Sequence, residues 1–215
     1  MSATAASAVI ASPQDLALVE RVLAGEDAAF AELIAAHHAS MERLARVYVH
    51  SGDVASEVVQ ETWMAVLDGL QRFEGRSALK TWIYRILTNK AKTRGVREGR
   101  IVPFSSLGRE DDDRGPAADP DRFTSKGRWS DPPSPWGHDS PEAVLRRKES
   151  MRALQQAVET LPPSQRAVVT MRDIDGWSAE DVCNVLEITE TNQRVLLHRG
   201  RTRLRRALES HYRGE

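Results

Sequence analysis

The residues best equipped for chemistry run from Arg72 to Arg100. Nine bases (Arg72, Arg76, Lys80, Arg85, Lys90, Lys92, Arg94, Arg97 and Arg100) stand there against two acids, Glu74 and Glu98. The stretch before it holds three bases, Arg21, Arg43 and Arg46, and ten acids. A formal net charge of -1 for 215 residues hides this split. Bases interleaved with Trp82 and Tyr84 suit a surface that takes a phosphate backbone while a ring takes an unstacked base. Trp82 at helical spacing also suits, and more often serves, a core. A second concentration lies near the C-terminus. Arg194, Arg199, Arg201, Arg203, Arg205, Arg206 and His198 follow one another with no acid between Glu190 and Glu209. A third group, Glu57, Gln60, Glu61 and Asp68, is either a solvated helix face or a surface for a basic protein partner.

Enzymatic chemistry finds no footing. No Ser/His/Asp, Cys/His or metal-ligand constellation emerges, and no Gly-rich phosphate loop follows a strand. The expectation is a non-enzyme without metal or cofactor. His37 and His38 are adjacent on a helix and point about 100° apart, which makes them poor joint ligands. The lone cysteine, Cys183, allows no internal disulfide, fits a reducing cytoplasm and suits a small core position. No run of eighteen apolar residues predicts a membrane span. The segment 1–12 lacks a basic n-region and is expected to be a flexible tail rather than a signal peptide.

Helices must position these groups. Ser12-Pro13-Gln14-Asp15 is a capping-box start for a helix ending at Gly25. Asp27 is expected to cap a second helix with Phe30, Leu33, Ile34, Met41, Leu44 and Tyr48 inward. Asp53 is expected to cap a third, on which Val59, Trp63, Val66, Leu67 and Leu70 share one face. Ser77 is expected to cap a fourth, with Leu79, Trp82, Ile83, Ile86 and Leu87 inward and the bases projecting elsewhere. These four form a compact helical domain over 13–100. From 101 to 140 helical period fails, prolines gather, and Glu110 to Asp113 form an acidic run. This is a linker, and its Phe123, Trp129 and Trp136 suggest that part of it docks.

Period returns over 141–212. Val144, Met151, Leu154, Val158 and Leu161 mark one helix. Ser164 is expected to cap the next and Ser178 a third, with a tight turn at Glu187-Ile188 before a long basic helix. That is a helix-turn-helix. Early residues of its last helix suit base edges and later arginines suit phosphates.

Two motifs carry a family resemblance. S-G-D-V-A-S-E-V-V-Q-E-T-W (51–63), followed by F-E-G-R-S-A-L-K-T-W-I-Y-R-I-L-T-N (73–89), resembles region 2 of bacterial sigma factors. The nearest group is the two-domain extracytoplasmic-function members of the sigma-70 family. L-P-P-S-Q-R-A-V-V-T-M-R-D-I-D-G-W-S-A-E-D-V (161–182) resembles their region 4. The resemblance implies an all-α fold of two small domains and a cytoplasmic protein that binds core RNA polymerase (β′ clamp and β flap) and promoter DNA, with an anti-sigma factor as a further partner. It implies that Glu57, Gln60 and Glu61 dock on the β′ clamp. Lys80, Trp82, Tyr84, Arg85, Asn89, Lys92 and Arg94 would then face the −10 element, with Asn89 near a pocket for a flipped base. Thr191, Asn192, Arg194, His198, Arg199 and Arg201 would face the −35 element. Val195 and Leu196 depart from the family, standing where a serine and an arginine are common. The competing reading is an autonomous helix-turn-helix regulator, in which the acidic surface around Glu57 to Glu61 has no job.

Overall fold

The computed structural model describes residues 11–99 and 141–213, so the expected linker and N-terminal tail lie outside the described residues apart from 11 and 12. Eight α-helices follow in order: α1 (Pro13–Leu23), α2 (Asp27–Tyr48), α3 (Gly52–Leu70), α4 (Leu79–Arg97), α5 (Pro141–Glu159), α6 (Pro163–Val169), α7 (Ala179–Leu186) and α8 (Glu190–Arg213). A one-turn π-helix, Thr170–Ile174, extends α6. None of the helices is long and apolar enough to cross a membrane.

The α1 start is the capping box expected. Ser12 Oγ accepts from the Asp15 amide and Asp15 Oδ2 accepts from the Ser12 amide. Four other starts differ. Glu26, not Asp27, precedes α2, and no side chain caps it. Ser51, not Asp53, caps α3, because its hydroxyl reaches the Val54 amide. Ala78 precedes α4, where the Leu79 amide donates to Asp15 Oδ2 at 3.3 Å. One carboxylate therefore serves two helix N-termini, and Ser77 is not needed. Ser164 lies inside α6 rather than capping it, while Ser178 caps α7 by accepting from the Asp181 amide.

The first four helices close around Leu33, Met41, Leu44, Tyr48, Val59, Val66, Ile83 and Leu87, all essentially buried. Burying each such side chain is worth about 1.5–3 kcal/mol. Leu67 departs from the expected inward face and is exposed. The last four surround Leu161, Val168, Met171, Val185, Leu186 and Leu197, whereas Met151 on α5 is exposed. Glu187, at φ 60°, makes the left-handed turn between α7 and the Thr189 start of α8.

The two helical groups pack against each other, α7 across α4 and α6 with the π-turn against α2. This is why α4 has no single apolar stripe. It buries Leu79, Ile83 and Leu87 toward its own group, and Thr81 and Tyr84 are buried as well.

Candidate nucleic-acid and polymerase interfaces

On α4, Asn89 and Thr93 are one turn apart, Lys90 and Arg94 likewise, so four polar side chains converge on one outer surface. With Arg97 and with Glu61 of α3 they line an open cavity of about 320 Å³. The Asn89 amide has no hydrogen-bond partner among the described residues, while its backbone carbonyl takes the Thr93 hydroxyl. A free amide can donate and accept, which is what the Watson–Crick edge of a base requires. Basic side chains around it suit the strand phosphates. They are already poised by acids: Arg94 reaches Glu57 at 2.7 Å and Glu98 at 3.0 Å, and Lys90 lies 3.9 Å from Glu61. The bond to Glu98 and the nearby carboxylates raise the Arg94 pKa further above its ordinary value. Glu98 is held below the usual carboxylate range by His50 first and Arg94 second.

The other bases of α4 are placed differently. Lys80 Nζ lies 3.5 Å from the ring centroid of Trp177. Arg85 reaches Glu187 at 3.5 Å. Lys92 is half-buried, and burial lowers its pKa against the pull of Glu187. Tyr84 is buried, its hydroxyl bonded to Ser40 and the His37 carbonyl and its ring edge-on to Trp177 at 4.5 Å. Trp82 turns toward α3, lying against Phe73 at 5.3 Å and so close to Gly69 that a Cβ there would meet the indole at 3.1 Å. His37 stands edge-on to Tyr84, and His38 accepts from the Trp63 indole at 3.4 Å. The two histidines thus serve separate packing roles.

The acidic surface of α3 holds Glu57, Gln60 and Glu61, all exposed. One turn further along, Met64 is 63% exposed and Leu67 is exposed beside it.

On α8, Thr191, Asn192, Arg194, His198, Arg199 and Arg201 are all exposed. Leu196 and Leu197 turn into the core, and Gln193 is buried with them. Val195 is 41% exposed among the polar residues. Arg194 is steadied by Glu190 at 2.5 Å, and Arg201 is gripped by both oxygens of Asp173 at 2.6 and 2.9 Å. Gly200 lets α8 lie directly on α6, since a Cβ there would sit 2.7 Å from Val169 Cγ2.

Residues 33–101 match the family model for Sigma-70 region 2, and residues 151–204 match that for Sigma-70, region 4. The ECF RNA polymerase sigma-E factor of Escherichia coli (strain K12) is 32% identical over 187 residues, 87% of this chain and 90% of its own length. The RNA polymerase sigma-H factor of Pseudomonas aeruginosa is 30% identical over 201 residues, 94% and 97% of the two chains. The chain belongs to the extracytoplasmic-function sigma factors of the sigma-70 family. As a sigma factor it directs RNA polymerase to promoters, an initiation role rather than an enzymatic one. Among solved structures its fold is similar to CnrH in complex with the cytosolic domain of CnrY, at TM-score 0.57 and 19% identity over 91% of this chain and 97% of that one. It is also similar to the Bartonella quintana sigma factor RpoE in complex with the anti-sigma factor NepR, at TM-score 0.55 and 20% identity over 84% and 96%.

Of the seven region 2 residues expected at the −10 element, Asn89 and Arg94 share the cavity. Lys80, Tyr84, Arg85 and Lys92 lie under or beside region 4, and Trp82 faces α3. Lys90, Thr93 and Arg97 complete the cavity. Their spacing from Asn89 and Arg94 was the available signal, and charge alone did not single them out. Met64 lies off the apolar face expected for α3, and nothing in the sequence singled it out.

Proposed function

We propose that this sigma factor opens the −10 region by capturing a flipped non-template base in the cavity at Asn89, with Lys90, Arg94 and Arg97 on the flanking phosphates. The observation that carries this is the unpartnered Asn89 amide in a cavity of about 320 Å³ ringed by bases. Expelling a base from the stack costs a few kcal/mol, which bonds to the amide and the phosphates offset. The domain at 13–100 serves core polymerase and the −10 element, and the domain at 141–212 serves the −35 element. On α3, Glu57, Gln60 and Glu61 dock on the polymerase β′ clamp, with Met64 as an apolar anchor beside them. On α8, Thr191, Asn192, Arg194, His198 and Arg199 meet the major groove and Arg201 a phosphate, and Val195 suits a thymine methyl. The work is cytoplasmic, where the polymerase is. An anti-sigma partner fits the chain, in keeping with CnrH and RpoE, whose structures hold CnrY and NepR.

The test separates the two surfaces of region 2. Asn89→Ala should lower promoter opening, read by permanganate reactivity of −10 thymines, and leave core polymerase affinity intact. Gln60→Ala with Glu61→Ala should weaken the polymerase complex. Loss of DNA binding alone in both variants would overturn the assignment.

A further inference from the structure

Glu98 stands where a helix least favours an acid. It closes the C-terminus of α4, the negative end of the helix dipole. Its place after Arg94 is also the weaker order for an i,i+4 ion pair. The Glu98 side chain is nevertheless only 19% exposed and is held from two sides. His50, just beyond the end of α2, places Nδ1 2.6 Å from Glu98 Oε2, and Arg94 Nε donates to Oε1 at 3.0 Å. A carboxylate only accepts, so the His50 ring is the donor. Arg94 Nη2 meets Glu57 at 2.7 Å. Two of the five guanidinium N–H groups are thus taken, which leaves three for a strand phosphate at the cavity that Arg94 lines. Of its two acids, Glu57 is 56% exposed and belongs to the surface proposed for the β′ clamp. Glu98 belongs to neither proposed surface, so its hold on Arg94 persists with polymerase and DNA in place.

We infer that Glu98, anchored by His50, is a positioning residue for Arg94 in promoter opening and sets the guanidinium before the strand arrives. The inference rests on the −10 assignment proposed above for Arg94 and deepens it by naming what orients that side chain. An arginine on a free stem must be ordered as it meets a phosphate, and pre-organisation removes that cost. A guanidinium held at Nε also keeps its Nη groups in one plane, and a planar fork meets phosphate oxygens in pairs. The pair with Glu98 is weak by itself, because it is local and partly exposed. His50 comes from the end of another helix and gives the carboxylate a second fixed point, so Glu98 does not follow Arg94 when the arginine swings.

Glu98→Ala decides the matter, because charge and positioning predict opposite signs. By charge alone, removing an acid beside a strand-binding arginine speeds opening or leaves it unchanged. Loss of positioning slows it. The full chain is assembled with saturating core polymerase, and the rate at which −10 thymines become permanganate-reactive is followed on one promoter. Glu98→Ala should open it about 3- to 10-fold more slowly, the size of the cost of ordering one flexible side chain on binding. Glu98→Gln, whose amide carbonyl still accepts from Arg94 Nε, should restore most of the rate. His50→Ala should slow opening in the same direction by less. In an Arg94→Ala background Glu98→Ala should cost nothing further, whereas a merely structural role in ending α4 would slow both backgrounds alike. Should Glu98→Ala lower the Tm, His50→Ala in the same two backgrounds carries the comparison. Equal or faster opening by Glu98→Ala, or a loss that persists in full without Arg94, overturns the inference. Slow opening by Arg94→Ala with a normal rate in Glu98→Ala removes the positioning role and keeps the −10 assignment. A normal rate in Arg94→Ala removes Arg94 from the strand and the inference with it, while Asn89→Ala still tests the cavity on its own.

Discussion

Gly200→Ala is a sharp test of how region 4 is built. The added Cβ would lie 2.7 Å from Val169 Cγ2, against about 3.5–4.0 Å for relaxed carbon contacts. Val169 is buried at the end of α6, and a valine in a helix has one strongly preferred rotamer. It cannot swing aside, so α8 and α6 must separate by up to about 1 Å. Overpacking of this kind costs about 1–3 kcal/mol. Alanine returns about 1 kcal/mol of helix propensity over glycine, leaving a net loss of about 1 kcal/mol. For a domain of this size each kcal/mol lowers Tm by about 4–8 °C. The assay is thermal unfolding of the full chain by circular dichroism, with Val169→Ala as a companion. The double variant should be more stable than the sum of the single changes by about 1 kcal/mol. A Tm that rises in Gly200→Ala would show that propensity wins and that the close helix approach does not constrain the site.

Other outcomes follow from the same geometry. Arg201→Ala should leave folding nearly unchanged, because its pair with Asp173 is partly exposed and such pairs contribute little. It should weaken −35 duplex binding evenly across sequences and reduce the log–log salt slope by about 1. A sequence-selective loss would instead place Arg201 on a base. Burial pushes the Tyr84 phenol up to about 12 from an ordinary 10.0, with the Ser40 bond acting against it. A raised value means the stabilisation is complete below pH 10 and is lost as pH climbs from 10 through 12. Absorbance at 295 nm, taken as the difference between wild type and Tyr84→Phe, should show that late titration. An ordinary value in the wild type would contradict the burial of Tyr84 between α2 and Trp177.

What could be read in the chain was what neighbours in sequence decide. The Ser12–Asp15 box, the Ser178 cap and the inward face of α2 depend on spacings of three and four residues. The start of α4 escaped because its amide is served by Asp15, 64 positions away. Tyr84 looked like a projecting ring because nothing local announces that α7 will cover it. Leu67 looked like core because periodicity records type and spacing, not whether a second helix arrives to bury it. The π-turn at Thr170–Ile174 had no composition signal of its own. Asn89 was found through the resemblance, and its companions Lys90, Thr93 and Arg97 only through the shape of the cavity.

The central claim is that this chain gives core polymerase a promoter and opens it. Run-off transcription with bacterial core polymerase, with and without the protein, on fragments of the source genome tests this directly. The account predicts defined start sites that appear only with the protein and are lost or weakened in Asn89→Ala. No transcripts, together with tight duplex binding by the protein alone, would contradict it and favour a stand-alone helix-turn-helix regulator.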